Sequence, residues 1–214
     1  MLTLREDPPR TRYLKNDEWK KLAEELLAAE DRNLPASVTG RLRRYVIVQI
    51  GTMCRPDELC NLETTDVDFG NRVITIRDSK THTSRTIPMS PRVYEALEEI
   101  FLVNQESWPN GTLVFPNSEG KKSKTYTFNL PFSKMIRKLG FRNLRRYDLR
   151  HTGATWLVKE GCNVFALQEL MGHKNIATTR RYVHFDEHQR KTAMNSMSGR
   201  LNVAAKSNVK RTAA

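Results

Sequence analysis

The chain has no pair of cysteines spaced to chelate a metal or to staple a small fold. Cys54, Cys60 and Cys162 are odd in number and none stands in a C-x-x-C arrangement, so reduced core thiols are the expectation. Long apolar runs are also missing. The aliphatic stretches are short, as at Val46-Ile47-Val48, and the opening MLTLREDPPR is charged where a secretory leader would be apolar. Neither a membrane nor export is indicated, and a soluble cytoplasmic protein is expected. Internal repeats and low-complexity segments are absent. A nucleotide-binding glycine loop is lacking too, because Gly120-Lys121-Lys122-Ser123 has no upstream glycine at the required position.

What the sequence has in excess is positive charge. Its 214 residues carry 36 Lys and Arg against 24 Asp and Glu, a formal charge of +12. The basic residues are spread along the chain and not gathered in one tail, which points to a folded surface that meets a polyanion, with double-stranded DNA the leading candidate. Membranes and small molecules are not expected as partners or substrates.

Periodicity predicts a mainly α fold with a small three-stranded antiparallel β-sheet, an α+β arrangement. Asn16 can cap a helix bearing Trp19, Leu22, Leu26 and Leu27 at helical spacing. Leu42, Tyr45, Val46, Gln49 and Ile50 predict a buried helix ending near Gly51, and Pro56 followed by Asp57 and Glu58 starts another, leaving Arg55 at a helix boundary. Three short strands are expected at residues 67–69, 73–76 and 85–88, with a polar loop from Arg77 to Ser84. Helical patterns resume at Pro91 (Val93, Leu97, Ile100, Phe101), then over Phe128 to Leu139, Asp148 to Lys159 and Val164 to Met171. Residues 1–15 read as a linker, 16–201 as one catalytic domain, and 202–214 as a basic tail expected to be disordered.

Four separated pieces carry chemistry when taken together: Arg55 with Glu58; Lys80 in the hairpin loop; Tyr147-Asp148-Leu149-Arg150-His151; and Leu170-Met171-Gly172-His173 followed by Tyr182. Their order and spacing resemble the tyrosine recombinase (phage integrase) family, with its arginine in R-x-x-E-L, hairpin lysine, H-x-x-R motif, histidine in an L-G-H or M-G-H loop and following tyrosine. The likeness extends through Asp148 to Thr152 and through Thr178-Thr179-Arg180-Arg181-Tyr182, and covers roughly residues 12 to 200. It implies the recombinase catalytic-domain fold. It also implies site-specific DNA recombination, in integration or excision, by strand cleavage and rejoining without ATP or a metal cofactor. Further recombinase subunits would assemble on the DNA, as a tetramer at synapsis.

The residue types suit that chemistry. Attack on a phosphodiester places extra negative charge on two non-bridging oxygens, and the planar guanidiniums of Arg55 and Arg150 can each donate paired hydrogen bonds there. The resemblance makes His173 a further donor to the phosphate, Tyr182 the nucleophile that forms a 3′-phosphotyrosyl link, and Lys80 the acid that protonates the departing 5′ oxygen. Glu58, Asp148 and His151 are expected to orient the arginines. One residue departs from the pattern: Tyr147 stands where the family has the first histidine of H-x-x-R, and a phenol is a far poorer proton shuttle near neutral pH than an imidazole. The extent departs as well, since the chain is expected to lack the helical core-binding domain that recombinases carry ahead of the catalytic one.

Taken singly these residues are unremarked. Tyr182 would be a half-buried surface tyrosine, Arg55 with Glu58 a helix-end ion pair, Lys80 a solvated lysine, and His151 a core histidine. Two rival classes remain. His184-Phe185-Asp186-Glu187-His188 fits the H-x-x-E-H pattern of some zinc peptidases, but nothing acidic follows His188 as a third ligand. A purely DNA- or RNA-binding basic protein would account for the charge and leave Arg55, Arg150, His173 and Tyr182 unexplained. Beyond the tyrosine, Met194, Met197 and Leu201 form an apolar stripe at helical spacing, suited to docking on a neighbouring subunit or on its own domain.

Overall fold

The computed structural model of the chain describes residues 12–33, 35–78, 83–124, 127–182, 194, 195 and 197. Eight α-helices and one three-stranded sheet are found among them. The first helix, α1 (Asn16–Asp31), begins one residue earlier than its cap was expected: Lys15 is the cap and Asn16 is already helical. Glu18 supplies the acceptor that the cap side chain does not, taking the Lys15 backbone N–H at 3.0 Å and two bonds from the Arg12 guanidinium.

Helix α2 (Leu42–Thr52) is buried nearly all round, through Leu42, Tyr45, Val46, Ile47, Val48, Gln49 and Ile50, and forms the centre of the domain. Two glycines let neighbours close on it. A Cβ on Gly51 would lie 2.3 Å from Val93 Cγ2 in helix α4 (Pro91–Ser107), and a Cβ on Gly153 of helix α6 (Asp148–Lys159) would lie 2.1 Å from the Ile50 carbonyl oxygen. Helix α2 ends at Met53, whose φ of +53° lies in the left-handed region that a residue with a Cβ seldom adopts. The short helix α3 (Pro56–Cys60) then starts with Pro56 in its first turn, where a missing N–H costs nothing.

The sheet runs in the order β1 (Val67–Asp68), β2 (Val73–Asp78), β3 (Thr83–Pro88), antiparallel throughout. Ile74 pairs with Ile87, and Val67 opposite Ile74 continues the same apolar face into the core. The ladder extends beyond the apolar residues, Arg77 pairing with Ser84 and Asp78 with Thr83, so the connection is shorter than the polar stretch suggested. Backbone pairing does not require apolar side chains, which is why the sequence pattern stops early. Lys80 lies in this connection, outside the described residues. Beyond α4, helix α5 (Asn129–Lys138) buries Phe132, Met135 and Ile136, while Phe128 stacks on Tyr45 with centroids 4.2 Å apart. Helix α7 (Val164–Met171) and the unanticipated helix α8 (Ile176–Arg180) are each capped by an asparagine, Asn163 and Asn175, accepting a backbone N–H at 2.8 Å. The tail after Asn202, Leu201 and the H-x-x-E-H segment lie outside the described residues; Met194 and Met197, which are described, are exposed. No described helix is long and apolar enough to cross a membrane.

Candidate active site

Arg150 is the hub. Only 1% exposed, it projects from the first turn of α6 to three groups. Its Nη1 donates to the Met53 carbonyl at 2.5 Å, its Nη2 to the Met171 carbonyl at 2.8 Å, and the same Nη2 lies 3.0 Å from His173 Nε2. The guanidinium thus ties together the ends of α2 and α7. A buried cation needs such acceptors, and the left-handed turn at Met53 supplies one of them. Burial, reinforced by the positive charge of Arg55, lowers the Arg150 pKa.

Arg55 comes from the start of α3, and Glu58 one turn on holds it twice: the carboxylate accepts the Arg55 backbone N–H at 2.6 Å and Nη1 at 2.9 Å. Glu58 also stands 4.0 Å from Arg150 Nη1. Its main partner is one the sequence did not reveal. Arg85, from β3, places Nη1 and Nη2 at 3.0 and 2.8 Å from the two Glu58 oxygens and donates Nε to the Leu170 carbonyl at 2.9 Å. Burial acts to raise the Glu58 carboxyl, but the bonds and charge of Arg85, with Arg55 and Arg150, outweigh it and hold the pKa below the usual carboxylate range.

His173 follows α7, where Gly172 at φ +65° makes the turn. A Cβ there would lie 2.9 Å from Arg85 Nη1. His173 Nδ1 lies 2.8 Å from Thr179 Oγ1 of α8, and burial together with Arg150 and Arg55 pushes its pKa down to about 4. It is therefore neutral, with Nε2 accepting from Arg150 and Nδ1–H donating to Thr179.

Tyr182 leaves α8 one residue after its cap and is half-buried, packing beside Met53, Ala154, Leu167 and Met171. Its hydroxyl lies 2.5 Å from His151 Nδ1. Burial pushes the phenol up to about 12, against the opposing pull of Arg150 and Arg181. Tyr147, the cap of α6, is 45% exposed, with its ring edge-on to His151 at 5.5 Å. A groove of about 470 Å³ lies beside it, lined by Arg55, Asp57, Ser133, Arg145, Arg146 and Tyr147.

Arg55, Glu58, Arg150, His173 and Tyr182 are thus brought to one place, with Tyr147 at the rim. The other two expected supports lie on α6. Asp148 accepts the Arg145 backbone N–H at 2.7 Å and so ties down the entry to α6, and His151 contacts Tyr182. Among the described residues no cluster of His, Cys, Asp or Glu is arranged to hold a metal ion, and His184 to His188 fall outside them.

Residues 12–189 match the phage integrase family along most of the chain. This chain is a member of the phage integrase family. Tyrosine recombinase XerA of Pyrococcus horikoshii is 29% identical to this integrase-family chain over 171 residues, covering 79% of the chain and 60% of that protein. Tyrosine recombinase XerA of Thermococcus kodakarensis is 33% identical over 155 residues, covering 71% and 54%. The chain spans about three-fifths of the length of such relatives. A crystal structure of XerA recombinase superposes with a TM-score of 0.71 at 26% identity, covering 89% of this chain and 66% of that one. XerH site-specific recombinase bound to its difH substrate superposes with a TM-score of 0.70 at 25% identity, covering 85% and 53%. The Tn1549 transposon integrase, at 22% identity and a TM-score of 0.75 over 91% of this chain and 68% of its own, shares the fold.

Proposed function

We propose that this chain is the catalytic part of a site-specific DNA recombinase, which cleaves and rejoins double-stranded DNA through a 3′-phosphotyrosyl link on Tyr182. The observation that carries the reading is the convergence of Arg150, Arg55 and His173: Arg150 holds His173 and the Met53 and Met171 carbonyls, Tyr182 packs against those same two methionines, and Glu58 joins Arg55 to Arg150. Relatives named tyrosine recombinases, and a similar fold solved on its DNA substrate, support it.

The scissile phosphate sits against Arg55 and Arg150, which neutralise the charge that builds on its non-bridging oxygens, and the guanidiniums do without a metal. His173 gives up its bond with Arg150 and, with its hydrogen moved to Nε2 and Nδ1 accepting from the Thr179 hydroxyl, donates Nε2–H to the phosphate; Tyr147 at the rim donates one more. Tyr182 Oη attacks phosphorus, the bond to the 5′ oxygen breaks, and Lys80 supplies the proton that leaves a 5′-hydroxyl. Since the phosphotyrosyl bond keeps the energy of the bond it replaces, no ATP is used. Further subunits assemble on the DNA, in a tetramer at synapsis, and the reaction takes place inside the cell.

The experiment is covalent trapping with nicked duplexes of randomised sequence, resolved on a denaturing gel. The wild-type chain yields an adduct in excess EDTA, and Tyr182→Phe yields none while binding DNA within a few fold. An adduct in the Phe variant, or loss of cleavage with EDTA that zinc restores, contradicts the proposal.

A further inference from the structure

Tyr182 begins as a phenol that burial holds at a pKa of about 12, so only about one molecule in 10⁵ is ionised at pH 7. Something must take its proton. The position that supplies an imidazole in this family is occupied here by Tyr147, itself a phenol. His173 is committed at both ring nitrogens, Nε2 toward Arg150 and Nδ1 toward Thr179, and burial disfavours its protonated form. Glu58 is bonded by Arg55 and Arg85, and Asp148 by the Arg145 backbone. Among the described residues, the remaining imidazole at the site touches the nucleophile: His151 Nδ1 lies 2.5 Å from Tyr182 Oη.

We propose that His151 is the general base of the cleavage reaction, receiving the Tyr182 proton at Nδ1 through this hydrogen bond. The inference rests on the recombinase reading above. It assigns a catalytic role to a residue whose sequence position suggested support for the arginines.

The step balances simply. As Tyr182 Oη forms its bond to phosphorus, its hydrogen passes to His151 Nδ1, the bond from phosphorus to the 5′ oxygen breaks, and that oxygen leaves with the electron pair and takes a proton from Lys80. In rejoining, the incoming 5′-hydroxyl gives its proton back to Lys80 as its oxygen attacks phosphorus, the bond from phosphorus to Tyr182 Oη breaks, and His151 returns its proton to the departing Tyr182 oxygen. Proton transfer to Nδ1 requires the tautomer with hydrogen on Nε2, leaving Nδ1 as an acceptor. Three features keep the imidazole in place. It lies in the second turn of α6, it is nearly buried, and its ring is flanked by Tyr147 at 5.5 Å and Tyr182 at 5.6 Å.

Two measurements test this. The first needs neither DNA nor a variant: ¹⁵N spectra of the neutral imidazole in the wild-type chain should show His151 Nδ1 unprotonated, and a hydrogen on Nδ1 overturns the proposal. The second uses the randomised nicked duplexes. His151→Asn leaves an amide oxygen able to accept from Tyr182 but no base, and should slow adduct formation by about 10² or more. The slowing should be equal with a 5′-bridging sulfur substrate, whose leaving group needs no proton. Wild-type rates in His151→Asn, or rates that the sulfur substrate restores, overturn the proposal while leaving the recombinase reading intact. A wild-type chain that forms no adduct on any duplex removes that reading, and this inference with it.

Discussion

Arg85 and Glu58 form a two-bond ion pair that joins β3 to α3 beneath the site, and the same carboxylate holds Arg55. Neither group is idle: Arg85 also reaches the Leu170 carbonyl, so one guanidinium connects the hairpin, the helix that carries Arg55 and the end of the helix that leads to His173. With side chains 16% and 12% exposed, the pair is shielded enough that removing one partner leaves the other poorly solvated.

Arg85→Ala should therefore destabilise the fold by about 3 kcal/mol and displace Arg55, although Arg85 is not expected to touch the phosphate. Urea unfolding reads the first effect. Pairing it with Glu58→Gln in a double-mutant cycle should reveal strong coupling, and additive effects would contradict the pairing.

Gly172→Ala should lose stability by about 1–2 kcal/mol, because the left-handed backbone there disfavours a Cβ. The new methyl would also press on Arg85. Cleavage should fall with it, since His173 is the next residue; equal thermal stability in the two proteins would contradict the argument.

Gly153→Ala should cost about 3 kcal/mol, at the upper end of overpacking, because its Cβ meets the Ile50 backbone and not a movable side chain. Separating α6 from α2 would also pull Arg150 from the Met53 carbonyl. Thermal unfolding of the variant provides the check.

His173 gives a pH dependence with a defined sign. Its folded pKa of about 4 lies below the usual histidine value of about 6.5, so the unfolded chain takes up a proton first as the pH falls. Stability should decline between those values and that contribution should level off below them. In His173→Gln, the slope of unfolding free energy against pH over this window should be shallower than in wild type; an unchanged slope would show that His173 titrates alike in both states.

The chemistry was more legible than the contacts that arrange it. Arg55 and Glu58 are one helical turn apart, and Arg150 and His151 lie within one motif, so local spacing exposes them. Arg85 meets Glu58 only because β3 folds beside α3, and no local pattern records that pairing. His151 and Tyr182 illustrate the same limit: the two residues could be singled out from sequence, but their contact depends on how α8 returns to α6. The helices were readable from their apolar stripes, whereas α8 is too short to carry one, and the hairpin extends into polar residues whose side chains give no strand signal.

Tyr147→Phe tests the role of the rim phenol. Loss of one donor to a charged oxygen should cost roughly 1.5–3 kcal/mol, about tenfold to a hundredfold in single-turnover cleavage. The exposed position of Tyr147 makes a folding defect unexpected, so a normal cleavage rate would remove it from the site.

The most direct test of the account is to locate the covalent bond itself. The wild-type chain is incubated with randomised nicked duplexes, the adduct is digested with protease and nuclease, and the modified peptide is sequenced by mass spectrometry. The account predicts a single nucleotide-bearing peptide modified at Tyr182, linked through a 3′-phosphate, with a free 5′-hydroxyl on the released strand. Attachment at another residue, linkage through a 5′-phosphate, or no covalent product from the folded chain would contradict it.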